Sequence, residues 1–215
     1  MEKAVIFDLD GTVLDTLKDI AENINVMLSH FGYENLSDRE IMQYIGNGAR
    51  KLVERSVKVK LTDSELNERY KFYDQLYTSA ASEKTCVFEG LKEVIFALKE
   101  RGYKLAILTN KQQSATDTVC NKYLKDFGFD LIVGQREGVP IKPDPTAVIN
   151  IMKELGANPK ETYFIGDGET DVMTAINAKI TGVAVLWGYR EKYQLENAGA
   201  TVFATSPSDL LSIIK

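Results

Sequence analysis

Ala4-Val5-Ile6-Phe7-Asp8-Leu9-Asp10-Gly11-Thr12 is an apolar run that ends in two carboxylates and a glycine. A continuous run of this kind predicts a strand buried on both faces, as in a parallel sheet. Residues two apart in an extended chain point the same way, so Asp8 and Asp10 leave the strand end on one side. Gly11 lets the backbone turn sharply, and Thr12 adds a hydroxyl and an N–H. Two like charges held that close repel and raise each other's pKa. A bound cation, a shared proton, or both must offset the repulsion. Among cations, Mg²⁺ suits hard oxygen ligands completed by water and phosphate. An acidic turn ahead of a helix would use the same residue types. The carboxyl end of a buried strand, however, is where open α/β sheets bind ligands.

Size and composition narrow the class. The 215 residues suffice for one α/β domain with a smaller insert, and the formal charge of −5 gives no basic face for nucleic acid. Cys86 and Cys120 form neither a metal-spaced cluster nor a disulfide framework. The opening apolar run is too short for a signal peptide, and no stretch approaches a membrane span. These features predict a cytoplasmic protein with no membrane partner. The sole histidine, His30, falls on a helix face beside Phe31.

Beyond the opening strand the apolar period changes. Leu17, Ile20, Ala21, Ile24, Met27, Leu28 and Phe31 recur at threes and fours, which predicts an amphipathic helix stopped by Gly32. Asp15 and Thr16 are candidate caps. Ser37-Asp38-Arg39-Glu40 and Thr62-Asp63-Ser64-Glu65 have capping-box spacing and open two more helices, with another after Gly46-Asn47-Gly48. Tyr70, Tyr73 and Tyr77 read as the core face of the last. Residues 16–82 thus form an all-helical block inserted in an α/β core made of residues 1–15 and 83–215. From residue 83 helices and short apolar strands alternate, with strands at Lys104–Leu108, Phe129–Val133, Thr162–Ile165, Gly182–Leu186 and Thr201–Ala204. That alternation predicts a doubly wound, Rossmann-like parallel sheet with helices on both faces.

The remaining polar candidates also follow strands. Thr109 and Asn110 end the second, and Asp167 ends the fourth, with Asp171 in the first turn of the next helix. Parallel strands would put all of them on one sheet edge with Asp8 and Asp10. Asp167 adds a carboxylate for a hard cation, and Thr109 offers a hydroxyl to an anion. Lys142, in Lys142-Pro143-Asp144-Pro145, carries a compact charge suited to phosphate.

In this order, Asp8-x-Asp10-Gly11-Thr12, Thr109, Lys142-Pro143 and Gly166-Asp167-x-x-x-Asp171 resemble the four motifs of the haloacid dehalogenase superfamily. They span nearly the whole chain, and the helical block falls where that superfamily inserts a helical cap. An acid at Asp10 resembles the phosphatase and phosphomutase branches. Tyr44 to Ala49, Trp187-Gly188-Tyr189, Leu195 to Ala200 and Ser206 to Leu211 are similar to the phosphoglycolate phosphatases. Gly168 departs from the pattern, in which Thr or Ser is common.

The resemblance implies an Mg²⁺-dependent phosphatase acting on a small phosphate monoester such as 2-phosphoglycolate. It implies Asp8 as the nucleophile that becomes an aspartyl-phosphate, and Asp10 as the proton donor and acceptor. Thr109 and Lys142 would hold the phosphate, assisted by Gly11, Thr12 and Asn110. The metal would be held by Asp8, the backbone carbonyl of Asp10, Asp167 and, from further out, Asp171. Gly46 to Arg50 is the candidate recognition loop, with Arg50 either contacting a substrate carboxylate or solvated. A phosphomutase, a pyrophosphatase or nucleotidase, and a non-enzymatic phosphoacceptor are the alternatives. The chain is expected to act as a monomer or homodimer.

Overall fold

The computed structural model of the chain describes residues 2–79 and 83–215. The opening run forms β1 (Glu2–Phe7), followed by a two-residue strand β2 (Leu14–Asp15). Four helices come next: α1 (Leu17–His30), α2 (Asp38–Tyr44), α3 (Ala49–Val57) and α4 (Asp63–Ser79). The expected capping boxes form. Ser37 and Glu40 exchange bonds at the start of α2, and Thr62 and Glu65 do so at α4. Thr16 behaves differently: its hydroxyl goes to Asp10 rather than to its own helix. His30 packs against Phe31 and Phe72 in a ring cluster on the block and does not line the pocket that holds Asp8. The predicted end of the block at Ser82 lies outside the described residues.

The chain returns through β3 (Cys86–Val87), which pairs antiparallel with β2. This two-stranded ribbon was not foreseen, because two residues carry no periodic signal. Asp19 on α1 ties the ribbon down by accepting from the backbone N–H and hydroxyl of Thr85 and the N–H of Lys84.

Alternation then runs as predicted: α5 (Leu91–Glu100), β4 (Tyr103–Gln112), α6 (Gln113–Tyr123), β5 (Leu131–Gln135), α7 (Thr146–Leu155), β6 (Ala157–Gly166) and α8 (Glu169–Ala178). The chain ends through β7 (Thr181–Val185), α9 (Lys192–Asn197), β8 (Phe203–Ala204) and α10 (Leu210–Ile213). Six strands pair in the parallel order β5-β4-β1-β6-β7-β8. Side chains of β1 alternate between the two faces. Val5 and Phe7 join one buried cluster; Ala4 and Ile6 join another with α7 residues Val148 and Ile151. That is the Rossmann-like, doubly wound architecture the periodicity predicts.

The topology decides where a site falls. The chain leaves β1 toward β4 and later continues on its other side with β6, so β1 is the switch point. Phe7 pairs with Ile107 of β4 and Ile165 of β6, so the ends of β1 and β6 open level with one another while β4 runs on beside them to Gln112.

Candidate active site

Asp8, one residue past β1, and Asp167, one residue past β6, converge with Asp171 from the first turn of α8. Each offers a carboxylate oxygen, and the three lie within 4.8 Å of one another, all buried. Three glycines permit this density. A Cβ at Gly11, in the left-handed region at φ +85°, would collide with the Asp167 carboxylate. One at Gly166 would collide with Asp171, and one at Gly188 with Asp167 and the Gly11 carbonyl. Hydrogen bonds then orient the acids. Thr12 Oγ1 donates to Asp167 Oδ1 at 3.0 Å, the Tyr189 N–H to Asp167 Oδ2 at 2.7 Å, and the Gly168 N–H to Asp171 Oδ2 at 2.9 Å.

Lys142 is the ammonium among them. Its Nζ donates to Asp171 Oδ1 at 2.6 Å and lies 2.7 Å from Asp8 Oδ1, with the lysine only 3% exposed. Three buried acids thus face one cation. Burial, then the charge of Asp171, pushes Asp167 up to about 7 and Asp8 well above the usual carboxylate range. Burial works against the charge on Lys142, but Asp171 and Asp8 outweigh it and hold that ammonium above its ordinary value.

Asp10 turns elsewhere. Its carboxylate stands outside the trio and takes two 2.9 Å contacts from Lys111 Nζ and one of 2.7 Å from Thr16 Oγ1. Lys111 is the residue the sequence reading missed. Burial disfavours its charge, yet Asp10 and Tyr77 outweigh burial and hold it above the usual lysine range. Its signal was position, two residues beyond Thr109 on the same strand.

The other predicted residues divide. Thr109 is buried on the wall of the pocket beside Asp8 and Lys142. Asn110 has its side chain committed: Oδ1 accepts from the Lys142 N–H at 2.9 Å, and Nδ2 donates to the carbonyls of Gly46 and Lys142. Only its backbone remains for an anion, and the Thr12 hydroxyl is likewise spent on Asp167. Arg50 does not reach the pocket. Its guanidinium reaches Asn67 and Asp63 on α4, because the turn of α3 it occupies faces outward. Tyr73 and Tyr77 are core residues, as read, but they also wall the pocket. The pocket they share with Asp8 encloses about 50 Å³ beneath the helical block.

The segment Trp187 to Arg190, just after β7, locks this arrangement. Trp187 Nε1 donates to the Thr12 carbonyl, and the Tyr189 hydroxyl accepts from the Thr16 N–H. Arg190 donates to Glu169 and to the Met42, Gln43 and Ile45 carbonyls at the end of α2. Those carbonyls lack helical partners, and a cation suits a helix C-terminus.

A Rossmann-like sheet whose switch point gathers three buried carboxylates around one ammonium is the core of an α/β enzyme. The chain belongs to the haloacid dehalogenase-like hydrolases, whose family model matches residues 5–185. It is 31% identical to the phosphoglycolate phosphatase of Chromobacterium violaceum, over 99% of this chain and 96% of that one. It is 30% identical to the phosphoglycolate phosphatase of Aquifex aeolicus, over the same shares. A crystal structure from Lactobacillus delbrueckii subsp. bulgaricus, itself only provisionally assigned as a phosphoglycolate phosphatase, superposes with a TM-score of 0.90. That pair is 28% identical and covers 100% of this chain and 99% of that one. Among the described residues no helix is long and apolar enough to cross a membrane.

Proposed function

We propose that this hydrolase is a phosphatase that cleaves a small phosphate monoester by way of a phosphoryl group carried on Asp8. The observation that carries the reading is the meeting of Asp8, Asp167, Asp171 and Lys142 at one sheet edge, with Asp10 two residues beyond Asp8. An Asp8 oxygen attacks phosphorus as the bond to the alcohol oxygen breaks. Water then attacks the phosphorus, releasing phosphate and restoring the carboxylate. Lys142 and Thr109 hold the non-bridging oxygens, where positioning and charge matter more than covalent chemistry.

Asp10 handles the proton. Paired with Lys111, it is set to accept one from the attacking water. To donate one to the leaving alkoxide it must first loosen from that lysine. The donor set also fits the expected Mg²⁺: Asp8, Asp167 and Asp171 would hold it, since three acids against one ammonium leave negative charge uncompensated. Asp8 Oδ1 is buried with the Lys142 ammonium, 2.7 Å away, as its one close partner, and it shares that ammonium with Asp171. Bound there, a divalent cation would neutralise charge between nucleophile and phosphate.

The relatives' names support 2-phosphoglycolate as a substrate, and the small pocket supports the broader class. Phosphate release should be followed across phosphoglycolate, sugar phosphates, nucleotides and pyrophosphate. Chelation is expected to lower the rate by at least about 100-fold, and added Mg²⁺ to restore it, whereas Ca²⁺, which tolerates looser geometry, should not. Turnover that persists undiminished in chelator would defeat the reading.

We propose further that residues 16–82 act as a cap domain closing over the core residues 1–15 and 83–215, with Arg190 as one of the contacts that hold it shut. Losing even one charged hydrogen bond costs about 1.5–3 kcal/mol, so Arg190→Met, which removes several, should lower kcat/KM by at least about 10-fold. Steady-state kinetics would check this, and an unchanged kcat/KM would remove Arg190 from closure.

A further inference from the structure

We infer that Lys111 sets the substrate class: its ammonium exchanges Asp10 for a carboxylate borne on the carbon that carries the leaving oxygen, so the site takes the phosphate ester of an α-hydroxy acid. The inference rests on the phosphatase reading and adds to it the residue that recognises the leaving group.

Cation accounting singles out Lys111. Among the described residues, the walls of the pocket around Asp8 hold two ammonium groups, Lys111 and Lys142. Lys142 is held between two acids, Asp8 at 2.7 Å and Asp171 at 2.6 Å, and belongs to the phosphoryl end. Lys111 answers to one acid, Asp10, with both carboxylate oxygens at 2.9 Å, and its ammonium lies 4.5 Å from the centre of the Tyr77 ring. The neighbouring guanidinium groups are spent: Arg50 on Asn67 and Asp63, Arg190 on Glu169 and the carbonyls at the end of α2. Asp74, half-buried on the wall that α4 supplies, adds negative charge there. A second anionic group on the substrate therefore has one cation to meet.

Position decides which anionic group that is. Asp10 can protonate the leaving oxygen only from hydrogen-bond distance, about 3 Å. Lys111 already touches Asp10, so a carboxylate one carbon from that oxygen arrives beside the ammonium, whereas one carried further along the chain overshoots it. The two side chains are 8% and 12% exposed, and in so dry a place a carboxylate pairs with an ammonium more strongly than in water. Asp10 keeps its place in the exchange, because Thr16 Oγ1 still donates to its Oδ1 at 2.7 Å while Oδ2 is released. The exchange also supplies the loosening from Lys111 that proton donation requires. A neutral leaving group leaves Lys111 on Asp10, so its handicap falls on kcat as well as on KM.

The test compares kcat and KM in Mg²⁺ for three esters. They are 2-phosphoglycolate; 2-hydroxyethyl phosphate, of the same length with no charge on the leaving group; and 3-phosphooxypropanoate, whose carboxylate stands one carbon further out. The wild-type enzyme should prefer 2-phosphoglycolate to either by about tenfold or more in kcat/KM. Lys111→Gln should shrink its preference over 2-hydroxyethyl phosphate by about 10- to 100-fold, because a neutral amide can still donate to Asp10 but pairs only weakly with a carboxylate. Lys111→Arg, which keeps the charge, should retain most of that preference. General damage to the fold would lower both esters alike and leave the ratio where it was. A wild-type enzyme that handles either comparator as well as 2-phosphoglycolate, or a ratio unmoved by Lys111→Gln, overturns the inference while leaving the phosphatase reading intact. No phosphate release from any of the three overturns both.

Discussion

Asp8→Asn is expected to lose turnover by at least about 10⁴-fold while remaining folded, with an unfolding temperature in metal-free buffer no lower than the parent's. The activity loss follows from the proposed role: an amide cannot attack phosphorus or carry the phosphoryl group, and removing a nucleophile costs rate by orders of magnitude. The stability half follows from charge. Burial and the neighbouring Asp171 hold Asp8 well above the usual carboxylate range, so its ionised form is expensive in the folded protein. Asn keeps the shape and removes one of three crowded charges, and Lys142 retains Asp171 at 2.6 Å. Loss of function with retained or improved stability is the signature of an acid kept for chemistry. Phosphate-release assays and thermal unfolding in chelator measure the two halves. A variant that turns over at a tenth of the parent rate would remove Asp8 as nucleophile.

Lys142→Met should be damaging in both respects. Taking one partner from a buried ion pair costs about 3–5 kcal/mol, because the charge left behind has no compensation. Here two carboxylates, Asp8 and Asp171, lose the same ammonium. At about 2–4 °C per kcal/mol for a chain of this size, the unfolding temperature in chelator should drop about 10 °C. A divalent cation among the acids would supply some of the missing charge. Added Mg²⁺ should therefore raise the unfolding temperature more in the variant than in the parent, by mass action on the folded state. Even so, kcat should stay about 10²- to 10³-fold low, since a fixed charge on the phosphate would be gone. Full activity at saturating Mg²⁺ would show that Lys142 serves only to balance the acids.

Much of this molecule was legible residue by residue. β1, the alternation after residue 83 and the helical run between them were readable because burial on two faces, one face or none leaves different periods in the chain. Asp8, Thr109 and Asp167 were readable for a related reason. Asp8 and Asp167 each follow a strand and Thr109 lies in the carboxyl-terminal half of β4, which runs on to Gln112, and parallel strands have no choice about which edge their carboxyl ends share. Arg50 shows the limit: its position beside a glycine break suggested a substrate contact, but the rotation of α3 about its axis turns it outward.

Composition and local pattern thus determined the architecture and the floor of the site, since strand periodicity and strand ends are properties of short stretches. Which cation meets which acid was decided by docking. Lys111 and Asp10 are 101 residues apart, and Arg190 caps carbonyls more than 140 residues before it. No local signal encodes such pairs: the first depends on β1 and β4 lying side by side in the sheet, the second on how the helical block seats on it. The same seating makes Tyr73 and Tyr77, core residues of α4, part of the pocket wall beside Asp8.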